Sequence, residues 1–213
     1  MKKIHAETFP PPREAWHMGL DLGVFEEQFP LPKGRFIFHM KDEETGEVLH
    51  HFEKDNVITL DARILAARLF KDNAEPNHGF NMLAVGTGAT GALLSPDAPT
   101  NVQRKLNNEI ERKAFAATTF RDSSGVAVAY PTNIVDFTTT FLAAEAVGAL
   151  NEMGLLVPYS INPASPHPIL NGPTDYDATI DVSGYDLMVN YLTFSVVSKP
   201  GTAILAITWR LTF

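Results

Sequence analysis

The feature of this sequence that most restricts its fold is a period-two alternation of apolar and polar side chains. It is clearest at residues 203–213, where every second side chain is apolar. A β-strand points successive side chains to opposite faces, so this stretch predicts a strand with one face toward a hydrophobic core. The apolar set is Ala203, Leu205, Ile207, Trp209, Leu211 and Phe213, and the polar residues between them are Thr208, Arg210 and Thr212.

The same alternation occurs in four further stretches, and an acidic turn at 42–46 joins the first two of them into a predicted hairpin. Each stretch has one mainly apolar face, as a strand of a half-buried antiparallel sheet requires. The residues that share these faces are Phe36, Phe38 and Met40; Val48, His50 and Phe52; Val135, Phe137, Thr139 and Phe141; and Met188, Leu192, Phe194 and Val196.

One segment, Leu60–Phe70, has the spacing of an amphipathic helix instead. Its start can be capped by Thr59 or Asp61. The stretch Val102–Asn108 allows a short second helix. The apolar stripe of the first helix comprises Leu60, Ile64, Leu65 and Leu69, among alanines.

Strands at this spacing without helices between them predict a mainly β fold. We expect an antiparallel β-sandwich, of jelly-roll or immunoglobulin-like type, with one α-helix and an extended N-terminal arm. Residues 1–34 would form the arm, since five prolines lie there among aromatic side chains and little periodicity is present. Residues 35–213 would form the single sandwich domain.

Composition excludes several functional classes. Zero cysteines rule out disulfides, a thiolate nucleophile, Cys-ligated zinc and iron–sulfur clusters. A net charge of −8 repels phosphate backbones, and no basic patch compensates, so we expect neither nucleic acid nor membrane as a partner. No apolar run is long enough to span a bilayer, and the N-terminus lacks the apolar stretch of a signal peptide. The chain is therefore expected to be made in a cytoplasm and to stay or assemble there.

Gly86–Gly91 matches the G-x-G-x-x-G pattern of dinucleotide-binding loops. Such a site also needs a helix that begins at the loop, because the helix amides hold the pyrophosphate. Pro96 and Pro99 follow too soon for that helix. We interpret the match as a glycine turn that closes a strand, and we expect no cofactor.

The remaining polar clusters do not predict a metal or catalytic site. His39 and His51 can share a face of the hairpin, but a third ligand is not nearby in sequence. The acidic run Asp175, Asp177, Asp181 and Asp186 lacks the spacing of a calcium loop. Ser123 and Ser124 lie in a predicted hairpin turn without a nucleophile motif. Glu109 and Glu111 share a strand face, but Arg112 and Lys113 are positioned to balance them.

An ordered set of short segments resembles structural proteins of tailed bacteriophages, including those of the tail-collar fibre type. The resemblance covers about residues 35–213, and none of its motifs is catalytic. The segments are Leu83–Gly88 (LAVGTG), Leu106–Lys113 (LNNEIERK), Phe137–Phe141, Ala144–Ala146 (AEA), Asn151–Leu155 (NEMGL), Val197–Pro200 (VSKP) and Ile207–Phe213.

The resemblance implies a non-enzymatic virion protein of the tail, neck or baseplate that assembles as a homo-oligomer or attaches a fibre. Its partners would be other virion proteins and copies of itself, and the arm would clasp a neighbour through its aromatic side chains. Glu109 and Arg112 would position the following strand or pair across a subunit boundary, and Glu152 would be a polar anchor beside a buried leucine. The arm anchors are Phe9, Trp16, Phe25 and Phe29.

Two alternatives stay open. The first is a capsid cement protein that locks neighbouring shell subunits, for which a long arm is equally suitable. The second, of another class, is a carbohydrate-binding sandwich that presents Tyr159, Tyr176 and Tyr185 from its loops. An enzyme is not expected.

Overall fold

The computed structural model describes residues 32–71, 79, 81–158, 176 and 184–213. The chain divides into two compact units, Met1–Leu31 and Pro32–Phe213. The first unit lies outside the described residues, and so do the four predicted arm anchors Phe9, Trp16, Phe25 and Phe29.

Twelve strands and one helix form the described part of the second unit. The helix is α1 (Leu60–Lys71). The strands are β1 (Lys33–Asp42), β2 (Val48–Ile58), β3 (Met82–Gly86), β4 (Gly91–Ala92), β5 (Ser95–Pro96), β6 (Glu109–Ala114), β7 (Ala117–Arg121), β8 (Ala127–Val128), β9 (Ile134–Phe141), β10 (Gly148–Val157), β11 (Leu187–Lys199) and β12 (Ala203–Thr212).

Ten strands are joined in one antiparallel sheet in the order β6-β3-β10-β11-β2-β1-β12-β9-β7-β8, and β4 and β5 form a separate small hairpin. The sheet folds over on itself, since β11 and β2 pair at only two positions, Asn190 with Ile58 and Tyr191 with Val57. Beyond that point Phe38 of β1 faces Phe194 of β11, with ring centroids 6.0 Å apart. The fold is thus mainly β and sandwich-like with a single helix in the described part, which confirms the predicted fold class.

The predicted alternation is confirmed where a strand has one face on the core. Phe36, Phe38 and Met40 are fully buried, and so are the apolar residues of β12 from Ala203 to Leu211. The helix prediction is also confirmed, because α1 covers Leu60–Lys71 and Leu65 is buried. None of the helices in the described part of the chain is long and apolar enough to cross a membrane.

The burial predicted from the alternation is wrong where a residue does not lie in a strand with one buried and one exposed face. Leu187–Phe194 of β11 are buried on both faces, because β11 lies between the main core and a second apolar cluster around Met188 and Leu106. At the ends of elements the reverse holds. Val48 is 53% exposed, Leu69 47% and Phe213 59%, so none of the three joins the core as predicted.

The predicted short helix at Val102–Asn108 is also wrong. Residues 97–108, here called the covering loop, contain turns instead and lie over the second cluster, into which Leu106 inserts. The backbone amides of Asn107 and Asn108 point to a buried carboxylate described below rather than to preceding carbonyls. These two amides are therefore not available for the hydrogen bonds that a helix over this stretch would form.

We predict that Trp209→Ala and Phe213→Ala differ strongly in stability although both residues belong to one sequence pattern. Trp209 is fully buried against Phe36, so its truncation should cost about 3–5 kcal/mol. Phe213 is mostly exposed, and its truncation should change the free energy of unfolding by less than about 0.5 kcal/mol. Urea unfolding followed by far-UV circular dichroism measures both. Equal midpoints would contradict the placement of β12.

Candidate functional site

Three of the segments that carry the resemblance, at 83–88, 106–113 and 151–155, meet around a fully buried carboxylate, that of Glu152 on β10. One oxygen accepts hydrogen bonds from the backbone amides of Gly88 at 2.9 Å and Asn108 at 2.8 Å. The other accepts from the Asn107 amide at 3.0 Å and from the Tyr191 hydroxyl at 2.9 Å. One side chain thus joins β10, β11, the covering loop and the loop after β3.

Glycine is required at positions 86 and 88, because the Glu152 carboxylate lies very close to the backbone there. A Cβ at Gly86 or at Gly88 would lie 2.7 Å from the nearer Glu152 oxygen, and one at Gly88 would also lie 2.4 Å from the Asn108 nitrogen. Only glycine permits so close an approach. The pattern Gly86–Gly91 that resembles a dinucleotide loop is therefore used to receive a side chain of the same protein, and the Gly88 amide is already bonded.

Burial fixes the protonation of Tyr191. Removal from water raises the pKa of Tyr191 well above its ordinary value, and the neighbouring Glu152 carboxylate raises it further. The phenol therefore remains a hydrogen-bond donor to Glu152 at every physiological pH. Asn151, beside Glu152 on β10, accepts a hydrogen bond from the Ala89 amide at 3.0 Å and so fixes the next residue of the same loop.

The predicted site residues Glu109 and Arg112 lie close to this cluster and bind each other. Their side chains are 2% and 1% exposed, and Arg112 also donates to Asp186 at 2.5 Å. Burial lowers the pKa of Arg112, but the two carboxylates outweigh burial and leave this pKa above its ordinary value. The pair lies within one chain and is buried there, and through Asp186 it ties β6 to the residue that precedes β11.

A third part of the network holds the turn between β9 and β10. Buried Lys199 donates to the carbonyl oxygens of Leu142 and Ala143, at 3.0 and 3.1 Å. Burial lowers the pKa of Lys199, and nearby carboxylates, that of Glu111 first, offset part of this effect. Glu111 itself accepts from the amide of Ala146, whose φ of 51° lies in the left-handed region.

Lys113 completes this turn. It donates to the Thr140 carbonyl at 3.0 Å and pairs with Glu145 at 2.5 Å. Although burial raises the pKa of Glu145, hydrogen bonds from Lys113 and from the Leu142 amide outweigh burial, so this pKa lies below its ordinary value. Residues of the AEA and VSKP segments therefore hold the same turn, the one between β9 and β10.

Two further buried carboxylates that form ion pairs were not found from sequence. Asp61 at the start of α1 faces Arg104 of the covering loop at 3.4 Å, and both side chains are buried. Burial raises the pKa of Asp61, and Arg104 offsets part of this rise. Asp136 alternates with the apolar residues of β9, and its side chain is 1% exposed because Arg121 and Arg210 cover it. Nothing in the spacing of these residues marks the pairs, since long connections separate their members.

The predicted histidine pair is brought together. His39 and His51 are register partners of β1 and β2, and their ring centroids are 5.5 Å apart. Among the described residues, no group of three or more His, Cys, Asp or Glu side chains could hold a metal ion. Ser123 and Ser124 occupy the turn between β7 and β8, where Asp122 accepts from the Ser124 amide at 2.9 Å.

The other predicted candidates are dispersed or lie outside the described residues. Asp186 is engaged with Arg112, whereas Asp175, Asp177 and Asp181 fall outside the described part. Of the tyrosines proposed to bind carbohydrate, Tyr185 is 39% exposed. Tyr176 lies under the Arg104 guanidinium, 5.3 Å from the ring centroid, and Tyr159 is outside the description.

The network connects loops to strands through its carboxylates. Its carboxylates at positions 109, 111, 145 and 152 each accept hydrogen bonds from backbone amides or from cationic side chains of the same chain. A scan against models of protein families finds no match, and a search of curated proteins finds no similar sequence.

We predict that Tyr191→Phe flattens the alkaline limb of the stability profile. An unfolded chain releases a tyrosine proton near pH 10, whereas the folded chain retains the Tyr191 proton to higher pH. The unfolded state therefore binds fewer protons above pH 10, and the contribution of Tyr191 falls by up to about 1.4 kcal/mol per pH unit as the pH rises. Urea midpoints between pH 9 and 11 (about two units around that pKa) measure the slope.

The matched control is Tyr130→Phe, because Tyr130 is 61% exposed. It should leave the slope of the wild-type chain unchanged. A Tyr191→Phe slope equal to that of Tyr130→Phe would contradict the buried pairing of Tyr191 with Glu152.

Proposed function

We propose that this chain is a non-enzymatic structural protein of a tailed-bacteriophage virion. It acts in the tail, neck or baseplate, where it mediates subunit assembly or the attachment of a fibre. Its partners are copies of itself and other virion proteins, and it is assembled into the virion in the host cytoplasm.

The observation that supports this proposal most strongly is the use of the motif residues inside the fold. A catalytic acid or base must come within hydrogen-bond distance of a substrate. Glu152 is instead fully buried, and the side chains of Glu109 and Arg112 are at most 2% exposed. The segments that resemble those of phage structural proteins therefore contribute shape, which is what an assembly component requires.

Exposed apolar side chains at the ends of hairpins give further support. Leu93 and Leu94 form the tip of the β4–β5 hairpin and are 66% and 77% exposed. At the β1–β2 hairpin, Val48 is 53% and Leu49 37% exposed. Adjacent apolar residues at such tips are typical of surfaces that become covered in a complex.

The N-terminal segment supplies the clasp in this proposal. Its aromatic side chains, Phe9, Trp16, Phe25 and Phe29, would insert between subunits, because buried aromatics dominate interface energies. This accounts for a proline-rich sequence that carries many aromatics and little periodicity.

Immunogold electron microscopy of purified virions that encode this chain tests the proposal. Antibody raised against the chain should label the tail, neck or baseplate, and pre-immune serum serves as the control. Label spread over the head would replace the tail assignment by a capsid cement function. Virions without label would overturn the structural role, and a glycan array would then test the carbohydrate-binding alternative.

A further inference from the structure

Strand β2 has an open edge in the part of the chain that the structure describes. On one side it pairs with β1 from Val48 to Asn56. On the other side, within the described residues, it pairs with β11 only through Val57 and Ile58. An unpaired strand edge is a template for the addition of another strand.

Strand β11 departs from β2 because it contains a bulge. Between the pairs Leu150–Val197 and Glu152–Thr193, β10 contributes the single residue Asn151, whereas β11 contributes three, 194–196. The β4–β5 hairpin supports the bulge, since the Val196 amide donates to the Leu93 carbonyl at 2.8 Å. Bulges of this kind redirect side chains and end strand pairing.

The open edge and the bulge enclose a groove of 380 Å³, here called the β2–β11 groove. Its lining comprises His50, Phe52, Lys54, Phe194, Ser195, Val196 and Val197. The Phe52 and Phe194 rings lie 5.5 Å apart and form an aromatic wall. Lys54 and His50 are the ionisable residues of the lining, so the groove carries basic groups and no carboxylate.

We propose that the β2–β11 groove binds residues 25–29 of the N-terminal segment of a second copy of this chain. This inference rests on the proposed assembly function and names the surface that the clasp engages. The sequence Phe25-Glu26-Glu27-Gln28-Phe29 places two aromatics around two carboxylates. In an extended conformation Phe25, Glu27 and Phe29 lie on one face, which matches an aromatic and basic groove.

Charge distribution and the geometry of an edge strand support this occupant. Residues 20–31 contain Asp21, Glu26 and Glu27 and no basic residue, which complements Lys54. A segment added to the edge of β2 gains backbone hydrogen bonds, and its alternate side chains enter the groove. Prolines at 30 and 32 end the strand that can pair, because they lack the amide donor.

Disulfide trapping tests the proposal cleanly, because the natural chain contains no cysteine. A full-length double variant, Gln28→Cys with Glu53→Cys, is oxidised and run on non-reducing gels. Glu53 precedes Lys54 on β2 and is exposed on the face opposite the groove, the same face on which Gln28 would lie, so its substitution leaves the core intact. The matched control is Gln28→Cys with Ser124→Cys, since Ser124 is exposed in the β7–β8 turn and is not part of the groove lining.

We expect covalent dimers or larger oligomers from the first variant, at about tenfold or more the yield of the control, since a disulfide requires Cα atoms within about 7 Å. A disulfide inside the monomer, identified by mass spectrometry, would overturn the proposal in favour of the chain's own segment. Equal yields from both variants would also overturn it.

Light scattering of the wild-type chain separates this inference from the proposed function. If the chain is oligomeric but the two trapping yields are equal, the groove assignment fails while assembly stands. If the chain is monomeric at all concentrations, self-assembly and the groove assignment both fail.

Charge reversal provides an independent readout. Lys54→Glu in the trapping variant should reduce the rate of cross-linking by up to about fivefold, the ratio that an exposed ion pair supports. Adding Glu27→Lys should restore the rate. A rate unaffected by Lys54→Glu would contradict the assigned contact.

Discussion

The described fold depends on the hydrogen bonds that replace water around the buried Glu152 carboxylate. A buried carboxylate is costly unless hydrogen bonds replace its hydration. Here three backbone amides and one phenol replace it, and each comes from a different stretch of chain or from an adjacent residue of the covering loop. These hydrogen bonds hold the loop after β3 and residues 107–108 of the covering loop against β10.

Charged side chains of β6 likewise connect that strand to other parts of the fold. Glu109, Glu111, Arg112 and Lys113 lie on one strand, yet they reach three different places: Asp186, the Ala146 amide and Glu145. Each contact ties β6 to a loop that follows another strand. These ion pairs and hydrogen bonds fix the loops on the sheet. Fixed loops and edges suit a protein that is bound by neighbouring subunits. The proposed virion role and the open edge of β2 are coherent with this arrangement.

Sequence reasoning predicts this fold well where one face of a strand meets the core, as in β9 and β12, because alternation then records burial directly. It fails at β11, where both faces are buried and a bulge breaks the period, and at Val48 and Phe213, where an apolar side chain lies at the end of an element. Glu152 was recognisable as an anchor, but its donors were not. Almost every residue has a backbone amide, so the residue types of Gly88 and Asn108 do not mark them as donors. The Asp61–Arg104 pair joins segments that are far apart in the chain.

Amide hydrogen exchange in Glu152→Gln, compared with the wild-type chain, tests most directly whether this carboxylate organises the loops. A glutamine keeps the shape and one acceptor oxygen, but it directs donor hydrogens toward the partners of the other oxygen, which need an acceptor. The account predicts that the amides of Gly88, Asn107 and Asn108 exchange about ten times faster or more, while amides of β1 and β12 keep their protection. Glu47→Gln, an exposed change, should alter none of them. Unchanged exchange at all three loop amides in Glu152→Gln would contradict the account.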